Sequence, residues 1–137
     1  MSNKPYTFAS QTSVSAGQSR TDIEKLLGKH KATHIGYAST PGSATLGFQI
    51  NGRMVRFVVP MPDKDREAQK HRSRWRALML CVKAKLESVA AGIETFDEAF
   101  LANVVMPDGK TLGEHALPHI VAAYQGGKMP PLLTFGG

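Results

Sequence analysis

Glu114, His115 and His119 are the residues whose types and spacing come closest to a metal site. Histidines at i and i+4 share one face of a helix and can ligate zinc there. A zinc hydrolase wants its glutamate between the two histidines and a third ligand downstream. Here the glutamate precedes both, no such ligand follows, and Pro118 falls in the turn that joins them. Ordinary helix-face histidines are the expectation. The second candidate is Pro62-Asp63 with Asp65, Glu67 and Lys70. Metal-dependent nucleases converge two carboxylates and a lysine on Mg²⁺, the second pair coming from a neighbouring strand. In this chain the spacing is Glu-x-x-Lys and the whole set lies in one charged stretch, which ranks a nuclease last among the readings. No Gly-rich phosphate loop and no Ser or Cys nucleophile motif occurs. Cys81 is the lone cysteine, which excludes an intramolecular disulfide and suits a reducing compartment. Its place inside a helical pattern predicts a buried, inert thiol. The sequence therefore assigns no catalytic residue, no metal and no cofactor.

What remains is charge. Seventeen Lys and Arg against eleven Asp and Glu give a formal charge of +6 and a pI near 9.7. A basic surface steers toward phosphates and binds them by releasing counterions. Arg53 and Arg56 on a hairpin, with Arg72, Arg74, Arg76 and Lys83 on a long helix, are the expected contacts to nucleic acid, DNA in preference to RNA. The competing reading is that these stems only cover the edge of the core with their methylenes. Aromatic interleaving is thin, so base stacking is not expected. A second expectation is a protein partner or a homo-oligomer. It rests on a helix face of small or mild residues, Ser73, Ala77, Ala84 and Ala91 with Leu80, and on an apolar tail, Met129, Leu132, Leu133 and Phe135.

The elements that must position these groups follow from period and punctuation. Thr21 to Glu24 has a capping-box pattern and predicts a short helix over 22–31. Thr33 to Ser39 alternates as a strand, and Thr40 to Ser43 is turn chemistry. Asn51-Gly52 between two β-rich runs predicts a two-residue type I′ hairpin. That turn sets Ile50 opposite Arg53, Phe48 opposite Val55 and Leu46 opposite Phe57, with Thr45, Gln49, Met54, Arg56 and Val58 on the wet side. Asp63 to Arg74 reads as a solvated linker merging into a helix. Trp75, Leu78, Met79, Val82, Leu86, Val89, Ala90 and Ile93 then form one apolar stripe of roughly 120° on a helix capped by Gly92. Thr95 to Glu98 and Thr111 to Glu114 repeat the capping box. They predict a helix through about Val105 and another to about Gln125, the latter kinked or started late by Pro118.

The expectation is one α+β domain over 19–137: a helix, a three-stranded antiparallel sheet, a long amphipathic helix packed on it, two short helices and an extended tail over 128–137. Residues 1–18 read as a flexible leader without the apolar region of a secretory signal, and no run is long enough to span a membrane. A cytoplasmic protein is expected.

A string of residues carries a resemblance. Gly52-Arg53, Arg56-Phe57, Pro60 and Pro62-Asp63 begin it, followed by Arg74 to Leu78, Lys83 to Glu87, Gly92-Ile93 and Thr95-Phe96. Glu98, Phe100 to Ala102, Pro107 to Gly109 and Met129 to Leu133 complete it. From Ser19 onward the chain resembles a family of uncharacterised small proteins encoded by tailed phages and prophages. The resemblance implies a phage-derived gene acting in the host cytoplasm, on nucleic acid or against a host or defence protein. The order helix, three strands, helix also resembles the double-stranded RNA-binding fold, with Lys70 to Arg76 at the position of that module's basic segment.

Overall fold

The computed structural model describes residues 15–129. Helix α1 covers Ala16–Lys29, strands β1, β2 and β3 cover Thr33–Thr40, Ser43–Ile50 and Arg53–Pro60, and helix α2 covers Ala68–Ala90. A single turn α3, Phe96–Ala99, a 3₁₀ turn, Leu101–Asn103, and helix α4, Leu112–Gly126, complete an α+β order.

The three strands form one antiparallel sheet in sequence order. Ile50 lies opposite Arg53, Phe48 opposite Val55 and Leu46 opposite Phe57, the register that Asn51-Gly52 dictates. Both corner residues have positive φ, 53° and 74°, as a type I′ turn requires. Ala44, Leu46, Phe48, Ile50, Val55 and Phe57 are buried beneath the helices, while Thr45, Gln49, Met54, Arg56 and Val58 stay partly or wholly exposed. His34, at φ 55°, takes up an extra residue where β1 shifts register against β2.

Trp75, Leu78, Met79, Val82 and Leu86 of α2 join the sheet's buried face and Ile23 and Leu27 of α1 in a single core. Trp75 is fully buried at its centre, with the Tyr37 ring edge-on at 5.9 Å and the Arg20 guanidinium 5.1 Å from its centroid. Phe100 anchors the other end, edge-on to Phe48 at 5.9 Å and to Phe57 at 6.3 Å.

Several boundaries differ from the sequence pattern, each for a local reason. α1 starts at Ala16, because Ser15 caps it by accepting a hydrogen bond from the Gln18 backbone N–H. Thr21 lies inside the helix with its hydroxyl donated to the Gly17 carbonyl, and Ser19 is buried, so residues 16–18 belong to the domain and not to a leader. α2 starts at Ala68, which makes most of the expected linker helical. The Asp63 carboxylate accepts from the backbone N–H groups of Asp65 and Arg66, a turn that leads into the helix, and the following Gln, Lys and Arg residues are good helix formers. Gly92, at φ 77°, stops α2 early enough that Ile93 falls outside the stripe and is exposed. Cys81 is exposed and not buried, since it sits about 240° around the helix from Trp75. Ser73, expected on the outer face, is buried with its hydroxyl donated to the Gln69 carbonyl. Ala77, Ala84 and Ala91 do lie outside.

The helix expected through Val105 ends at Ala99. Val104 bridges to Val55 and the Val105 N–H donates to the Met54 carbonyl at 2.8 Å, so β3's outer edge draws these β-branched residues into extended backbone. Both downstream capping boxes are present, at Thr95 with Glu98 and at Thr111 with Glu114. α4 begins at Leu112 and runs through Pro118 without interruption, so the late start is not seen. A Cβ at Gly113 would lie 2.8 Å from the Ala102 carbonyl oxygen, which is why glycine stands where α4 meets the 3₁₀ turn.

Candidate nucleic-acid interface

The six cations expected to meet nucleic acid do not converge. Arg53 is held by Asp97 of α3 through two hydrogen bonds, at 2.9 and 3.0 Å. Arg56 reaches Glu114 at the start of α4, at 2.8 Å, and also donates to the Gly109 carbonyl. Arg76 faces Asp22 of α1 at 3.7 Å. Each of these carboxylates comes from a different element, and each satisfies a charge that a phosphate would otherwise satisfy. Arg72 donates to the Gln69 side chain and meets no carboxylate, and Arg74 and Lys83 form no ion pair among the described residues. On the helical wheel Arg72 and Lys83 flank the apolar stripe on the Arg76 side, which faces α1, while Arg74 lies on the opposite flank.

A different constellation does assemble. The first turns of α1, the β1–β2 turn, the segment after β3 and the start of α2 enclose a cleft of about 780 Å³. Arg20, Lys64 and His71 line it beside the hydroxyls of Ser39, Thr40 and Ser43 and the backbone of Pro41 and Gly42. The Met61 N–H donates to the Gly42 carbonyl at 2.9 Å and ties the segment after β3 to the turn. Burial first, and then the positive charges of Lys64, Arg20 and Arg72, push the His71 imidazole below its ordinary value of 6.5. Burial is the larger cause, and the three cations, from α1, the segment after β3 and α2, add to it. Asp63 and Asp65 also line the cleft. The Asp63 carboxyl is held below its usual range by the backbone N–H groups of Arg66 and Asp65, so it stays charged. Asp63 and Asp65 both oppose the cations of the cleft.

Arg20 is the residue of this set that sequence pattern did not single out. Its guanidinium rests over Trp75, a cation–π contact that fixes the side chain, and its carbonyl accepts from the Tyr37 hydroxyl at 2.7 Å. The Tyr37 hydroxyl is raised above its ordinary value, by burial most of all and then by Glu24. It stays a neutral donor to the Arg20 backbone throughout the accessible pH range.

The two metal candidates gain no ligand set. His115 Nε2 lies 2.7 Å from Asp108 Oδ2, and His119 lines the same shallow groove with Met106, Pro107 and Leu112. No group of three or more His, Cys, Asp or Glu able to hold a metal ion occurs among the described residues. Asp63 is engaged as a turn former, and Glu67 lies 3.6 Å from Lys70 along α2. Of the apolar tail, Met129 is exposed, and Leu132, Leu133 and Phe135 lie outside the described residues. No helix among the described residues is long and apolar enough to cross a membrane.

No protein-family model matches the chain, nor does any curated protein or solved structure.

Glu114 shows how the hairpin arginines are spent on structure. The Thr111 backbone N–H first, then Arg56 and the Thr111 hydroxyl, pull its carboxyl from an ordinary 4.5 to about 2. A depressed carboxylate contributes stability that is complete above its unfolded value and lost as pH falls through its folded one. Glu114→Gln is therefore expected to flatten the acid limb of a urea-midpoint profile between pH 4.5 and 2 and to leave the profile above pH 6 parallel to that of the parent. An unchanged acid limb would show that neither the Thr111 capping bonds nor the Arg56 contact holds the Glu114 carboxylate in solution.

Proposed function

We propose that this protein is a phage-type accessory protein that binds nucleic acid, DNA in the first instance, through its phosphate backbone and performs no chemistry of its own. The observation that carries this reading is that Arg20 and Lys64 line one cleft with His71, while Arg72, next to His71 in the chain, adds its charge from α2. Three cations from separate parts of the chain, unpaired with carboxylates among the described residues, make a field that a phosphodiester lowers in energy. Serine and threonine hydroxyls on the opposite wall supply neutral donors to phosphate oxygens. The cleft offers no exposed aromatic platform, since Trp75 is buried beneath Arg20, so recognition is of backbone charge and shape and not of stacked bases. The paired arginines, Arg53, Arg56 and Arg76, take no part. Resemblance to small phage-encoded proteins adds that such binding would serve phage nucleic-acid metabolism.

The direct test is fluorescence anisotropy with a labelled duplex and with its single strands across a salt series. Affinity is expected to fall steeply and log-linearly with salt, by about 0.9 per phosphate contacted on duplex DNA and about 0.7 on a single strand. Negligible binding to both at 50 mM salt would reject the reading.

A further inference from the structure

Among the described residues, helix α4 meets the body of the protein through its first half, where Leu112, His115 and His119 border Met106 to Asp108. Thr111 and Gly113 are buried against the 3₁₀ turn, and Glu114 reaches Arg56, but from Leu117 to Met129 every residue except Ala123 is exposed. Leu117 is 59% exposed, Ile120 42%, Val121 55% and Tyr124 89%. Their spacing, i, i+3, i+4 and i+7, puts all four in one stripe. Gly113 lies in line with that stripe, so the face of α4 that packs on Ala102 continues past the edge of the body with no described residue covering it. Leu101, next to Ala102, is also exposed, at 55%.

A helical segment of this length does not support itself in water, where even favourable sequences shorter than about 12 residues are marginal. This one also holds Pro118 and the β-branched Ile120 and Val121, which disfavour helix without tertiary packing.

From this geometry we infer that the outer part of α4 is a dimerisation arm, and that its stripe packs against the same stripe of a second copy of this chain about a two-fold axis. The arm's charge selects the partner. Residues 116–127 contain no Lys, Arg, Asp or Glu, in a chain whose formal charge is +6. Two copies repel wherever their basic bodies approach, but their arms meet without a like-charge contact. An isologous pair needs only a surface that fits itself. At these exposures the four side chains leave on the order of 500 Å² uncovered per copy, so a pair buries at most about 1,000 Å², the range of weak, transient interfaces. The dimer is accordingly weak and reversible. It would present two copies of the basic cleft to one nucleic acid, although the inference stands on the arm alone and not on that binding.

Sedimentation velocity of the full, nuclease-treated chain in 0.5 M salt tests it, since shared nucleic acid cannot then bridge two copies. The expected result is a reversible monomer–dimer equilibrium over micromolar concentrations that shifts to monomer in Val121→Asp and in Tyr124→Asp. Because both side chains are exposed and outside the core, the two variants should keep the parent's urea midpoint, and their circular dichroism should match that of the parent diluted to monomer. Oxidation of Val121→Cys in a Cys81→Ser background should trap a covalent dimer. A chain that stays monomeric up to several hundred micromolar overturns the inference and leaves the stripe to the segment 130–137 or to a different protein. A dimer that survives both aspartate variants overturns it as well, because another surface would then hold the copies together.

Discussion

Changing Arg20, Lys64 and Arg72 together to glutamine is expected to lower affinity for duplex DNA by about a hundredfold or more at 50 mM salt, and to reduce the slope of log affinity against log salt by roughly 2.7. Each residue, if it meets one phosphate, releases about 0.9 of a counterion, and the three losses add because the cations come from separate segments. The three side chains lie at the surface or half-buried, so the fold should survive the triple change. The matching control is Arg53→Gln with Arg56→Gln. Asp97 and Glu114 already occupy those guanidinium groups, and DNA affinity should stay within about twofold of the parent. Anisotropy titrations of both variants at several salt concentrations separate the cases. Equal losses in the two would return the interface to the hairpin.

Trp75→Ala is expected to destabilise the domain by about 3–5 kcal/mol, the range for removing a fully buried large aromatic side chain. That is a large share of the ordinary stability of a domain, about 5–15 kcal/mol. The loss has two parts. Trp75 fills the centre of the core between α2 and the sheet, in edge contact with Tyr37. It also supports the Arg20 guanidinium at 5.1 Å, so its removal frees the arginine that helps form the cleft. Trp75→Phe retains a ring face and should cost less than the alanine change while keeping measurable DNA binding. Urea unfolding followed by circular dichroism measures both. A midpoint for the alanine variant within experimental error of the parent's would mean that Trp75 is not central to the fold.

The parts of this architecture legible in the sequence are those fixed by local rules. Asn51-Gly52 sets a turn with two positive-φ residues, and a period of two then pins every pair of β2 and β3, because a slip of one residue would turn Phe48 and Val55 outward. The capping boxes at Thr95 and Thr111 hold because nothing upstream competes with them. The one at Thr21 does not form, since Ser15 caps the chain six residues earlier and draws Thr21 into the helix. Apolar period marks the stripe of α2 but not its start, because the first turns of the helix are charged and show no hydrophobic face.

Which cations stay free is not legible in local sequence, for a reason of distance. Whether an arginine is free depends on carboxylates remote in the chain: Asp97 for Arg53, Glu114 for Arg56 and Asp22 for Arg76. No spacing rule reaches across such separations. The cleft has the same origin, because Arg20, Lys64 and His71 are brought together only when α1, the segment after β3 and the start of α2 meet. Composition supplied the basic excess. Folding decides which cations keep it.

Proton NMR of the His71 imidazole tests whether phosphate is held in the cleft that Arg20 and Lys64 line, with Arg72 beside it. In the free protein, burial and the three cations hold its titration midpoint below 6.5, with Asp63 and Asp65 as the facing anions. A bound phosphodiester adds negative charge beside the ring and favours its protonated form. With saturating duplex DNA the midpoint should therefore move upward, and affinity should rise as pH falls through that midpoint. A His71 midpoint that stays in place while the DNA is demonstrably bound would contradict the account.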